Sequence, residues 1–168
     1  MTLSMYQASV PVFVRALSNL AHVLKKGEAH AQAKGIAPEV LLQSRLYPDM
    51  FPLTRQVQIA TDMVKNGAAR LAGVEAPKFE DNESSFAELY VRIERAIAFL
   101  NSLKPEQLDG SEARAIHVPR RSGALDLQGQ PYLLDYVFPN FFFHCTTAYD
   151  ILRHGGVEIG KMDFIGAF

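Results

Sequence analysis

The residues best suited to chemistry lie in PNFFFHCTTAYDILRHGG, residues 139–156, where Asn140 and His144 bracket three consecutive phenylalanines. An imidazole in such a setting has three uses: it ligates a metal, grips a small molecule, or fills a core while hydrogen-bonded across it. Tyr149 and Thr146 or Thr147 are placed to line the same cavity. Cys145 does not join His144, because the next residue along a helix projects about 100° away. His22 falls off the apolar stripe of its helix, His30 lies in a connecting arm, and His117 sits in a loop-like insert, so none completes a ligand set by spacing. Asp49, in a PDM turn, reads as a turn former and helix-entry anchor. No Ser-His-Asp spacing, phosphate-cradling glycine motif or dinucleotide fingerprint is present.

Four apolar stripes with helical period must position these residues. Leu3, Tyr6, Val10, Phe13, Leu17, Leu20 and Leu24 alternate spacings of three and four, which predicts a helix over 2–26 that kinks at Pro11 and stops at Gly27. Residues 28–51 form a connecting arm with a short helical stretch opened by Pro38. The second stripe, Leu53, Val57, Ala60, Val64, Gly67 and Leu71, predicts a helix over 52–72 between Pro52 and Gly73. Gly67 on that seam points to close approach by a neighbouring helix. The third, Phe86, Leu89, Ile93, Ala96, Leu100 and Leu103, predicts a helix over 84–103, capped by Ser84 or Ser85 with Glu88 at capping-box spacing from Ser85. The fourth, Val137, Phe141, His144, Ala148 and Ile151, predicts a helix over 132–154 with His144 on the seam. Residues 106–130 have partial alternation and no helical period, which fits a β-hairpin or a long ordered loop. The apolar tail VEIGKMDFIGAF must pack on the bundle or on a second subunit. The expected architecture is all-α: an up-down four-helix bundle of antiparallel helices in one domain over 1–168, with an irregular or hairpin insert before the last helix.

Composition narrows the function classes. Apolar residues make up 48% and charged residues 21%, a globular balance, and 17 Lys+Arg against 18 Asp+Glu give a net charge of -1. No basic cluster exceeds the Arg120-Arg121 pair, so a nucleic-acid partner is not expected. Neither an export signal nor a membrane span is read from the N-terminal residues. The single cysteine suits a reducing cytoplasm.

YPDMFPLTRQVQIATD and ARLAG in the second helix, together with PNFFFHCTTAYDILRHGGVEIGKMDFIG, resemble the DUF1993 family, which is similar to the DinB/YfiT-like superfamily of metal-dependent helical bundles. The resemblance covers almost the whole chain and implies a four-helix bundle that forms homodimers, with no established activity. In the wider superfamily three histidines hold a divalent metal, one from the second helix and two spaced four apart on the last. Here His144 matches the second of that pair, Asn140 replaces the first, and the second helix offers Gln56, Gln58 and Asp62 in place of a histidine. Neutral amides are weak ligands for zinc or nickel, so no metal is assigned and His144 is the only residue matching the superfamily's ligand pattern. The expected site is a cavity for a small polar ligand, faced by His144 and Asn140 and approached by Gln56. A metal-dependent transferase or hydrolase using His144, and a purely structural homodimer, are the alternatives.

Overall fold

The computed structural model describes residues 3–120 and 123–167. The helix start expected at residue 2, Arg121 of the basic pair and Phe168 of the tail lie outside the described residues.

Helix α1 (Met5–Lys34) opens on Ser4, whose side chain accepts from the Gln7 amide in a capping box. The cap places Leu3 outside the helix and exposed, and Met5 and Ser9 take the first core positions. The helix does not stop at Gly27. It runs on to Gly35, whose left-handed φ of 64° ends it, so residues 28–34 are helix and not arm. Gly27 is small for a packing reason: a Cβ there would lie 2.8 Å from Leu152 Cδ2. The short α2 (Pro38–Leu42) carries its proline in the first turn. Helix α3 (Leu53–Ala72) buries every stripe residue and ends at Gly73, with φ 69°. Helix α4 (Phe86–Ser102) is capped by Ser85 and Glu88 in the reciprocal arrangement its sequence predicts. One turn, α5 (Pro105–Leu108), follows.

The insert is a hairpin. Strands β1 (Ala115–Val118) and β2 (Leu125–Gln128) pair antiparallel with Ile116 opposite Leu127, and Ile116 and Val118 face inward. A single turn, α6 (Gly129–Pro131), leads into a π-helical segment, Tyr132–Val137, and then α7 (Phe138–His154) and α8 (Lys161–Ile165). The π segment has a local cause. Pro139 has no N–H to give the Asp135 carbonyl and its ring crowds that carbonyl, so the backbone ahead of it widens its hydrogen bonds; Phe138 N–H reaches back to Leu133 O. The expected stripe residues Val137, Phe141, Ala148 and Ile151 are all buried. Cys145 sits in the core, and His144 is half-buried at its edge instead of on the seam.

The directions of the helices differ from a simple up-down order. Tyr90 on Glu28 and the Tyr6 amide on Asp109 make α4 antiparallel to α1, while Gly27 on Leu152 and Phe13 on Phe138 make α7 parallel to it. The contacts of Gln56 with His144 and of Arg70 with Tyr132 set α3 antiparallel to α7. Helices α3 and α4 therefore run the same way, and residues 74–85 must carry the chain back along α3 to begin α4. The tail packs on the bundle: Val157 and Ile159 are buried, Asp163 pairs with Lys26 at 2.9 Å, and Asn19 donates to the Ile165 carbonyl at 2.7 Å.

Candidate functional site

Helices α3 and α7 meet along their length because both present small or shape-matched residues there. Gly67 admits Val137, whose Cγ1 would stand 2.9 Å from any Cβ at position 67, as the glycine on the seam predicts. One end of this interface brings Gln56 and His144 together. Gln56, only 1% exposed, donates its Nε2 to the Phe51 carbonyl at 3.0 Å, and that bond turns its Oε1 toward His144 Nδ1 at 2.7 Å. An amide oxygen only accepts, so Nδ1 carries the hydrogen and the neutral ring holds its lone pair on Nε2. Burial, and then the positive charge of Arg55, push the His144 pKa below its ordinary value, which keeps the ring neutral at pH 7. The Phe143 ring meets the imidazole edge to face at 5.3 Å; Phe143 is exposed, as is Phe51, whose carbonyl accepts from Gln56.

The other expected site residues are distributed differently. Asn140 donates to the Tyr136 carbonyl at 2.6 Å, serving the backbone where the π segment gives way to α7. Tyr149 turns toward the tail and stacks edge-on against Phe164 at 5.9 Å. Thr147 bonds back to Phe143 O, and Thr146 is exposed. Cys145 is buried, and burial pushes its thiol well above the usual range, which leaves it unreactive. His22 pairs with Asp163 at 3.1 Å, His117 with Asp126 at 2.7 Å, and Asp49 lies exposed in its turn.

Along α3 runs a groove of about 230 Å³, lined by Arg55, Ile59, Asp62, Met63, Asn66, Arg70 and Tyr136 and roofed by Val118 and Pro119 of the hairpin. His144 is not among its walls; Arg55, whose charge acts on the imidazole, and Tyr136, whose carbonyl accepts from Asn140, relate the two. The groove offers guanidinium, amide and phenol donors and one carboxylate, Asp62, against apolar walls.

Beside the groove lies a cluster the sequence reading did not anticipate. Arg92, 1% exposed, bonds Thr61 at 2.7 Å and pairs with Asp81 at 2.8 Å, Glu83 at 3.0 Å and Asp62 at 3.0 Å. Lys65 donates to the Pro77 carbonyl at 2.7 Å, Arg55 pairs with Asp81, and Gln58 joins Glu83 at 2.8 Å. These contacts fasten the returning segment 74–85 onto α3, and Asp81 holds a left-handed φ of 37° to reach both arginines. The signal was present in the spacing. Arg92 lies three after Leu89 and four before Ala96, on the buried side of the third stripe.

The superfamily's metal does not fit these residues. Gln56 and His144 spend their facing atoms on each other, Asn140 spends its amide on its own helix, and among the described residues no three His, Cys, Asp or Glu side chains are grouped to hold an ion. No helix among them is long and apolar enough to cross a membrane.

Four helices around one core with a hairpin before the last, and a polar pair where the second and last helices meet, define a DinB-like bundle. The chain belongs to the DUF1993 family, a domain of unknown function whose model matches residues 5–165. A crystal structure of a DinB family member protein from Shewanella denitrificans is 41% identical, covering 97% of this chain and 92% of that one, with a TM-score of 0.90. A comparison with curated proteins found no match.

Proposed function

We propose that this protein is a small-molecule-binding module, one domain over its length, built on a bundle whose metal-ligand positions have been converted to a hydrogen-bonding pair. The observation that carries the reading is the Gln56–His144 contact of 2.7 Å, locked by the Gln56 bond to Phe51. It leaves a neutral imidazole whose Nε2 is an acceptor, and Arg55, whose charge acts on that ring, also lines the nearby groove with Asn66, Arg70 and the Asp62 carboxylate. A small polar molecule with an N–H or O–H at one end and an anionic or carbonyl group at the other matches that arrangement.

The test is elemental analysis and native mass spectrometry of protein purified without a histidine tag. Substoichiometric zinc and nickel in wild type, and a retained small molecule that His144→Ala releases without changing metal content, support the reading. One tightly held metal per chain, lost on His144→Ala, overturns it in favour of a metal-dependent transferase or hydrolase. The exposed Phe51 and Phe143 beside the Gln56–His144 pair favour a second property, a self-complementary homodimer formed through that face. Light scattering that gives a monomer mass across micromolar concentrations removes it. The unpaired, buried Cys145 is in keeping with a cytoplasmic setting.

A further inference from the structure

The chain beyond α7 is fastened in two different ways. Val157 and Ile159 are 1% and 5% exposed and belong to the core. Past Gly160 the character changes. Helix α8 contributes no fully buried residue, although Phe164 and Ile165 lie over a strip made by Val12 and Ala16 of α1 and Phe142 and Cys145 of α7. What holds it to α1 is polar and close to solvent. Asp163 contacts Lys26 at 2.9 Å and His22 at 3.1 Å, and the Ile165 carbonyl accepts from Asn19 at 2.7 Å and from Arg15 at 3.2 Å. Tyr149 adds one edge-on ring contact to Phe164.

Ion pairs that water can reach give little net stability. A segment with few buried apolar contacts and hydrogen bonds near solvent is where native proteins open locally. A helix of one turn does not stand alone in water, so α8 keeps its shape through docking and through Asp163. That side chain does both jobs: one oxygen meets Lys26 and His22, and the other accepts from the Gly160 amide at 2.8 Å at the helix start. Gly160 supplies the pivot. Its backbone is extended, with φ -135°, and open space surrounds the place where a Cβ would lie. The bundle underneath is closed by fully buried residues such as Phe13, Leu17 and Leu152, none of which needs α8 to stay packed against its neighbours on α1 and α7.

We propose that α8 is a latch that swings away at Gly160 while the rest of the chain stays folded, with Asp163 as its catch, and that opening uncovers Cys145 and the apolar strip around it. Closed, the latch keeps Cys145 at 2% exposure. The device is independent of the groove along α3 and of anything bound there.

Cys145 is the chain's one cysteine, so its rate of reaction with an aromatic disulfide reagent reads the opening. Wild type reacts slowly, and below the unfolding transition the rate rises only shallowly with urea, because opening the latch exposes little surface. Asp163→Asn raises the rate by roughly tenfold, the loss of the charge shared by the Lys26 and His22 contacts and the cap. If that variant does not fold, Lys26→Gln is measured in its place and raises the rate about threefold. Leu71→Ala, a core change on α3 remote from the latch, lowers the urea midpoint and leaves the labelling rate at its wild-type value. A wild-type rate in the Asp163 or Lys26 variant, a urea dependence as steep as that of global unfolding, or faster labelling in Leu71→Ala each overturn the proposal.

Discussion

Replacing Arg92 by methionine removes the cation on which three acids converge while keeping much of the side-chain volume. The structure sets the size of the effect. Asp81 keeps Arg55 and Asp62 keeps Lys65 at 3.2 Å, but Glu83 is left with only the Gln58 amide. Removing one partner of a buried ion pair costs about 3–5 kcal/mol, because the remaining charge stays desolvated. For a chain of this size each kcal/mol moves Tm by about 2–4 °C, so the melting temperature falls by roughly 6–20 °C. The loss depends on pH, and the sign follows from the carboxylates. Burial raises the Asp81 pKa, but bonding and charge from Arg55 and Arg92 outweigh it and hold the group below its ordinary value. In wild type that contribution to stability is present above the unfolded carboxylate range and lost as pH falls below it. In Arg92→Met part of that contribution is already missing at neutral pH, so the deficit is full at pH 7 and narrows as pH falls below the unfolded carboxylate range. Urea titrations followed at 222 nm at pH 7 and at pH 3 measure it, and Glu83→Gln in the same background recovers part of the loss. A deficit under about 1 kcal/mol at pH 7, or one equal at pH 7 and pH 3, refutes the account of the cluster as a fastener.

Two other outcomes follow from the α3–α7 interface. Gly67→Ala puts a Cβ 2.9 Å from Val137 Cγ1; the overpacking, about 1–3 kcal/mol, exceeds the gain of about 1 kcal/mol in helix propensity, so the urea midpoint drops and Val137→Ala restores it. His144 followed by its ring-proton NMR shift titrates with a midpoint below the ordinary 6.5, since burial and Arg55 both disfavour the imidazolium, and Arg55→Gln moves the midpoint upward. Stability linked to this residue is unchanged above that ordinary value and declines as pH falls through it, because the unfolded chain takes up the proton first.

The second and third stripes were legible residue by residue, since every member from Leu53 to Leu71 and from Phe86 to Leu103 is buried. Periodicity reports which face is apolar and says little about where a helix ends or which way it runs. Gly27 looked like a stop because glycine lowers propensity, yet its role is contact with Leu152, a residue remote in sequence. The direction of α4 is set by the segment 74–85, whose anchoring depends on charges that alone read as solvated surface. The same limit applied at the site. The pairing of Gln56 with His144 was approachable from spacing and resemblance, but 144 and 145 both lie between Phe141 and Ala148, and which of them takes the innermost place is set by how α7 is rotated against its neighbours, which apolar spacing does not fix. Tyr149 faces Phe164 because five residues from His144 is more than a third of a turn around the helix from it.

The parallel placement of α1 and α7 has a consequence for synthesis. Helix α1 is made before every element that covers it, and among the described residues the ring partners of Phe13 are Phe138 and Phe141. Until those residues leave the ribosome, Phe13 lacks both partners and the stripe has at most the cover that α2, α3, α4 and α5 give it. The nascent chain thus carries an apolar helix with an incomplete cover until α7 emerges, the condition in which chaperone binding or premature pairing between neighbouring chains competes with folding.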